Sequence, residues 1–201
     1  MIGIVDYGMG NLESVRKALA AVGYASQWVR TPSDLAPCEH IVFPGVGAFG
    51  RAMDNLRQSD LIEPIKAAIA DGRPFLGICL GHQLLFDESD EHGIHQGLGI
   101  VPGRVQRLPD SVRVPHIGWN TVAQPRASRL FDGIPEETYF YFVQSYYVAP
   151  ETTSVVAGTT EYGLPFTAAI EIDNVFGVQF HPEKSQRAGL ELLANFGRLS
   201  C

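Results

Sequence analysis

Cysteine is scarce in this chain: Cys38, Cys79 and Cys201 are the only three among 201 residues. So few, so unevenly spaced, do not make a disulfide framework, and a chain of this length with 45% hydrophobic content can fill a core without one. Basic residues are in deficit as well. A formal charge of -7 disfavours nucleic acid as a partner. Apolar runs are short, and none approaches the ~20 residues needed to cross a bilayer, so no membrane contact is expected. The first residues, Met1-Ile2-Gly3-Ile4-Val5-Asp6, show neither the basic flank nor the long apolar core of a leader. These absences imply a cytoplasmic protein whose ligand is a small molecule or another protein. Repeats, linkers and low-complexity stretches are missing too, so residues 1–201 read as one domain.

What is present alternates. Short segments rich in branched residues exchange with amphipathic ones through the first half, the pattern of a largely parallel sheet joined by crossover helices. Ile2 to Asp6 reads as a first strand, followed by a helix capped by Asn11, with Leu12, Val15, Leu19 and Val22 on one face and Gly23 at its end. Ser26 to Val29 reads as an edge strand. His40 to Phe43 reads as a third strand stopped by Pro44 and the turn Gly45-Val46-Gly47, and helices are expected near Arg51 to Arg57 and Leu61 to Ala70. The second half changes character: Gly99 to Leu108, Trp119 to Ala123, Thr138 to Val148 and Ser154 to Thr160 are strand-like with only turn-like breaks, which implies antiparallel pairing. Asp173-Asn174 between two further strands predicts a tight hairpin. Ser185 is expected to cap a last helix carrying Leu190, Leu193 and Phe196.

The most informative stretch is Gly77-Ile78-Cys79-Leu80-Gly81. A side chain at a sharp junction between a buried strand and the helical pattern Leu80 to Phe86 is held exposed under strain, and flanking glycines let the backbone pass. A nucleophile belongs in such a place, and amides at a helix start favour its thiolate. A cysteine nucleophile needs a base, and the base an acid to hold its tautomer. His181 and Glu183 supply both from a turn stiffened by Pro182. An oxyanion formed at an attacked carbonyl needs backbone donors, for which Leu80 N–H and Gly47 are the candidates. Blander readings exist: a cysteine between glycines can fill a core, His181 can end a strand, and Glu183 can be solvated. Cys38, in a loop-like stretch, and the terminal Cys201 lack the elbow setting.

Other motifs carry less. Gly45-Val46-Gly47-Ala48-Phe49-Gly50 matches G-x-G-x-x-G after a strand, but the acid expected about 20 residues later at a strand end is missing, which weakens a dinucleotide oxidoreductase. His92 and His95 beside Glu91 lack further metal ligands, so neither a metal nor a cofactor is expected. The aromatic run Tyr139 to Phe142 with Tyr146, Tyr147 and Trp119 serves either the core or a partner surface.

With these residues in view, the chain resembles the glutamine amidotransferase subunits of imidazole glycerol phosphate synthase, in the triad-type class I family. The matching blocks are Asp6 to Leu12, Pro44 to Gly47, Gly77 to Gly81, Pro115 to Asn120, Gly158 to Gly163 and Gly177 to Ser185. The resemblance implies a flavodoxin-like α/β fold with a central mixed sheet flanked by helices. It also implies a Cys79, His181 and Glu183 triad, and a conditional oxyanion amide near Gly47. Gln83, Glu91, Ser145 and Tyr146 match positions that hold the amino acid part of L-glutamine, and Asn11, Trp119, Tyr141 and Lys184 match positions facing a separate (β/α)8 barrel cyclase subunit. The alternatives are the glutaminase subunit of another synthase and a non-catalytic binding subunit. Two departures stand out: His82 where the family commonly has Met, and Gln144 in place of a His before Ser-Tyr.

Overall fold

The computed structural model describes residues 1–200, so Cys201 lies outside the described residues. Strand and helix alternate first: β1 (Ile2–Val5), α1 (Leu12–Ala21), β2 (Ser26–Val29), α2 (Pro32–Leu35), β3 (His40–Gly45), α3 (Phe49–Gln58), α4 (Ile62–Ala70), β4 (Phe75–Cys79) and α5 (Leu80–Gln83). Strands then dominate: β5 (Phe86–Ser89), β6 (His95–Gln96), β7 (Val101–Arg107), β8 (His116–Val122), β9 (Thr138–Gln144), β10 (Tyr146–Pro150), β11 (Val156–Glu161), β12 (Pro165–Ile172) and β13 (Val175–Val178), before α6 (Gln186–Gly197).

The main sheet runs β2-β1-β3-β4-β13-β12-β10-β7-β5-β6, with β11 also on β12, and β8 and β9 form a separate ribbon. From β2 to β13 all pairs are parallel, and from β13 to β7 all are antiparallel, the change of character that the two halves of the sequence predict. The hairpin between β12 and β13 closes with Ile172 opposite Val175, and Asp173 takes the positive φ of 49° that such a turn needs. Both faces of the parallel part are buried. Phe43, Phe49, Leu56, Ile65 and Phe75 pack on one side; Ile4, Leu19, Leu76, Ile78, Phe176, Leu193 and Phe196 pack on the other, under α1 and α6. A sheet covered twice holds its strand ends rigidly, and β3, β4 and β13 end together. Register places Gly45 beside Cys79 and Val178 beside Ile78, so the end of β4 is flanked on both sides.

Several expectations need correction. Pro44 does not stop β3; it pairs with Ile78 inside the strand, because extended backbone suits its fixed φ and only one donor is lost near the strand end. Asn11 and Ser185 stand at the N-cap positions of α1 and α6, yet neither side chain caps its helix. The helical pattern after Cys79 yields only the single turn of α5, and by Phe86 the chain is a strand again, since Leu84, Leu85 and Phe86 are buried on all sides rather than along one stripe. The stretch Thr138 to Val148 is two strands. It bends at Ser145 as the chain leaves the ribbon for the main sheet, a crossing that unbroken β-propensity does not announce. Among the described residues no helix is long and apolar enough to cross a membrane.

Candidate active site

Cys79 has φ 55° and ψ −110°, a conformation that L residues rarely take. The glycines around it are a steric requirement. A Cβ at Gly81 would lie 1.8 Å from the Phe43 carbonyl oxygen, and one at Gly77 would lie 2.7 Å from the Gly81 oxygen, so the turn after β4 packs directly onto backbone. That close packing fixes the elbow at the strand end, and Cys79 lines the cleft there while itself buried, not exposed as the elbow pattern suggests, because neighbouring loops close over it.

His181 arrives three residues beyond the end of β13, where its ring interacts electrostatically with the Cys79 sulfur, and the Cys79 S–H donates to the Val143 carbonyl at 3.8 Å. Its Nδ1 bonds Glu183 Oε1 at 2.8 Å, with both side chains almost wholly buried. Burial works against a charged ring, but the sulfur and the Glu183 carboxylate outweigh it and raise His181 to about 10. The turn is clamped from outside. His181 N–H donates to the Tyr141 carbonyl at 2.9 Å, Tyr141 N–H donates to Ser185 Oγ at 3.0 Å, and the Ser185 hydroxyl donates to the His181 carbonyl at 2.6 Å. The arrangement is a sulfur, a base and a buried acid in line, able to form and break an acyl bond.

A cleft of about 340 Å³ opens over the sulfur. Gly47, Leu80, Gln83, Glu91, Ser145 and Tyr146 all line it together with Cys79, His181, Gln144 and Lys184, so the structure gathers every residue expected to meet substrate or oxyanion. Gly47 has φ +106°. Glu91 Oε2 accepts from Phe49 N–H at 2.6 Å, which anchors it at the first turn of α3. Gln83 Nε2 donates to Tyr146 O at 3.1 Å and to Gln179 Oε1 at 3.0 Å. Among the described residues no group of three or more His, Cys, Asp or Glu could hold a metal ion.

The model of the class-I glutamine amidotransferase family matches residues 3–198. The chain belongs to that family. The amidotransferase is 53% identical over 198 residues to the imidazole glycerol phosphate synthase subunit HisH of Desulfitobacterium hafniense, covering 98% of this chain and 94% of that one. It is 54% identical over 198 residues to the same subunit of Moorella thermoacetica, with the same coverage. Among solved structures, PurLQS from Thermotoga maritima superposes with a TM-score of 0.77 at 18% identity, over 98% of this chain and 95% of that chain, a likeness of fold.

Around the amidotransferase cleft, the residues expected to face a partner fall into two groups. Trp119 and Tyr141 sit opposite each other in the β8–β9 ribbon, their rings edge-on at 5.9 Å, with Lys184 Nζ 6.0 Å from the Tyr141 ring centre. Exposed Ile117 and Tyr139 extend this surface. Asn11 is exposed at the start of α1, which packs on the Pro182–Lys184 turn, so it borders the same end of the molecule. Sequence reasoning missed Ser185 as a clamp, because a serine before a helix reads as a cap. It also missed Gln179 and Tyr7. Tyr7 is buried with an unpartnered hydroxyl, and burial followed by the nearby Cys79 sulfur pushes its phenol above the usual range.

Proposed function

We propose that Cys79, His181 and Glu183 hydrolyse L-glutamine through a thioester. The observation that carries this is a sulfur in a strained elbow, sharing its cleft with a histidine whose Nδ1 is held by a buried carboxylate, beside Gln83, Glu91, Ser145 and Tyr146. The Cys79 sulfur attacks the side-chain amide carbon of glutamine, and the amides of Leu80 and Gly47 hold the oxygen that gains charge. His181 passes its proton to the departing nitrogen, the C–N bond breaks, and ammonia leaves. Water, deprotonated by His181, then attacks the thioester and releases glutamate. Glu183 keeps Nδ1 protonated throughout, so Nε2 is the nitrogen that exchanges protons.

The chain is the glutaminase subunit of an imidazole glycerol phosphate synthase, acting in histidine biosynthesis, as its curated relatives are named HisH. A glutaminase subunit works with a cyclase, because ammonia freed into neutral water is protonated and no longer a nucleophile. The partner is a (β/α)8 barrel that docks against Asn11, Trp119, Tyr141 and Lys184 and receives the ammonia through a sealed path. Glutamate formation from glutamine, measured for this chain alone and with a cyclase partner, tests the reading. Cys79→Ala is expected to abolish glutamate release while ammonium salts still drive the assembled complex. Loss of both activities overturns the division of labour.

A further inference from the structure

Three buried carboxamides, Gln83, Gln144 and Gln179, lie around the nucleophile, and Gln179, which touches the sulfur, has no role in the mechanism above. Gln179 is fully buried one residue beyond β13, and the parallel register that sets Val178 beside Ile78 carries it alongside Cys79. Its Nε2 donates to the Cys79 sulfur at 3.9 Å, while its Oε1 accepts from Gln83 Nε2 at 3.0 Å. Gln83 Nε2 gives its second hydrogen to the Tyr146 carbonyl at 3.1 Å. A carboxamide nitrogen has only two hydrogens, so both are spent inside the protein and Gln83 can offer a ligand nothing but its oxygen.

The chain of bonds has one direction. It starts at Tyr146 O and Gln83, passes through the amide of Gln179, and ends with an N–H on the sulfur. Reversing either amide would set two donors or two acceptors against each other between side chains that are buried from solvent. We infer that Gln179 is a positioning residue that holds the Cys79 sulfur by donation and fixes Gln83 with its oxygen turned to the substrate's N–H groups. An N–H on the sulfur favours the thiolate, and a fixed Gln83 oxygen favours a ligand carrying an ammonium or carboxamide donor. The substrate half of this inference rests on the glutaminase reading; the sulfur half does not.

Gln179→Glu separates the halves, because a carboxylate still accepts from Gln83 but gives the sulfur no hydrogen. Gln179→Met removes both bonds at similar volume. The titratable groups around the sulfur are His181 backed by Glu183, Tyr7 from the loop after β1, and Glu91 and Lys184 across the cleft, and all are retained in both variants. The first readout is the pH profile of Cys79 alkylation by iodoacetamide, in which the thiolate sulfur displaces iodide and no substrate is needed. The second is kcat and KM for glutamate release by the complex with its cyclase partner. Gln179→Glu is expected to move the alkylation inflection up by about one unit and to lower kcat roughly 10- to 100-fold, with KM within about twofold. Gln179→Met is expected to shift the inflection as well and to raise KM by about tenfold. Ammonium-driven turnover of both complexes stays at the parent level, which separates these effects from misfolding; if one variant does not fold, the other decides. Alkylation profiles that coincide with the parent's overturn the sulfur contact, and an unchanged KM in Gln179→Met overturns the hold on Gln83. A parent complex that makes no glutamate would overturn the glutaminase reading, while the alkylation profiles would still judge Gln179.

Discussion

Cys38 and Cys79 are both free, both buried and both hydrogen-bonded by a glutamine side chain, Gln27 at 3.4 Å and Gln179 at 3.9 Å. Each also gives its S–H to a backbone carbonyl, Cys79 to that of Val143 at 3.8 Å, so the difference lies in their settings. Cys38 follows α2 and gives its S–H to the Asp34 carbonyl at 3.3 Å, and burial pushes its thiol up. Cys79 ends a central strand at φ 55° with an imidazole against the sulfur. Burial and an amide contact therefore do not make a nucleophile. A strained backbone that presents the sulfur, and a base with its own acid, do.

The sharpest way to break the comparison is chemical. Iodoacetamide should label Cys79 first, as read by peptide mass spectrometry, and Cys79→Ser should lower glutamate release by roughly 10³-fold or more, while Cys38→Ser keeps the parent rate. Preferential labelling of Cys38 would undo the distinction. Next in size is Glu183→Gln, which keeps an oxygen near His181 and removes the charge; a fall in kcat of roughly 10- to 100-fold is expected from steady-state kinetics. The same change has a stability signature. Because the folded protein raises His181 from 6.5 to about 10, that preference stabilises the fold in full below pH 6.5 and is lost as pH rises through about 10. Urea melts should show the loss starting at lower pH in Glu183→Gln, and coincident profiles would argue against the ion pair.

A smaller effect lies just behind the elbow. His82 is fully buried against Phe86 with neither ring nitrogen partnered, and burial lowers it to about 3. The unfolded chain takes up this proton near 6.5 and the folded one does not, so stability falls as pH drops from 6.5 towards 3, by up to about 1.4 kcal/mol per unit. His82→Met should abolish that slope and gain roughly 1 kcal/mol at neutral pH in urea melts; an unchanged acid limb would contradict it. The least expected change is Cys38→Ala, about 1 kcal/mol of stability with glutaminase rate unaltered. A large loss of activity there would mean that the two sulfurs are not as different as their surroundings imply.

Particular residues mark how far reading along the chain could go. Cys79 announced itself because glycine on both sides of a cysteine, after a buried strand, has a local steric meaning that Phe43 and Gly81 bear out. The Asp173 turn was legible for the same reason, since a positive φ is a property of single residues. Ser185 was legible only in part: its place at the start of α6 was foreseen, but its hydroxyl serves Tyr141 and His181, and Tyr141 lies 44 residues away. Gln179 gave no local sign at all, because its partners are a sulfur and an amide about a hundred residues earlier.

The order of residues alone decided the alternation of helix and strand, the switch from parallel to antiparallel pairing, and the elbow, since each follows from side-chain periodicity or backbone sterics within a few positions. Folding in three dimensions decided which carboxamide meets the sulfur, which hydroxyl clamps the histidine turn, and where Thr138 to Val148 breaks between two sheets. Those outcomes depend on registers between strands far apart in the chain, and a hydrogen bond is directional only once both partners have been set in place.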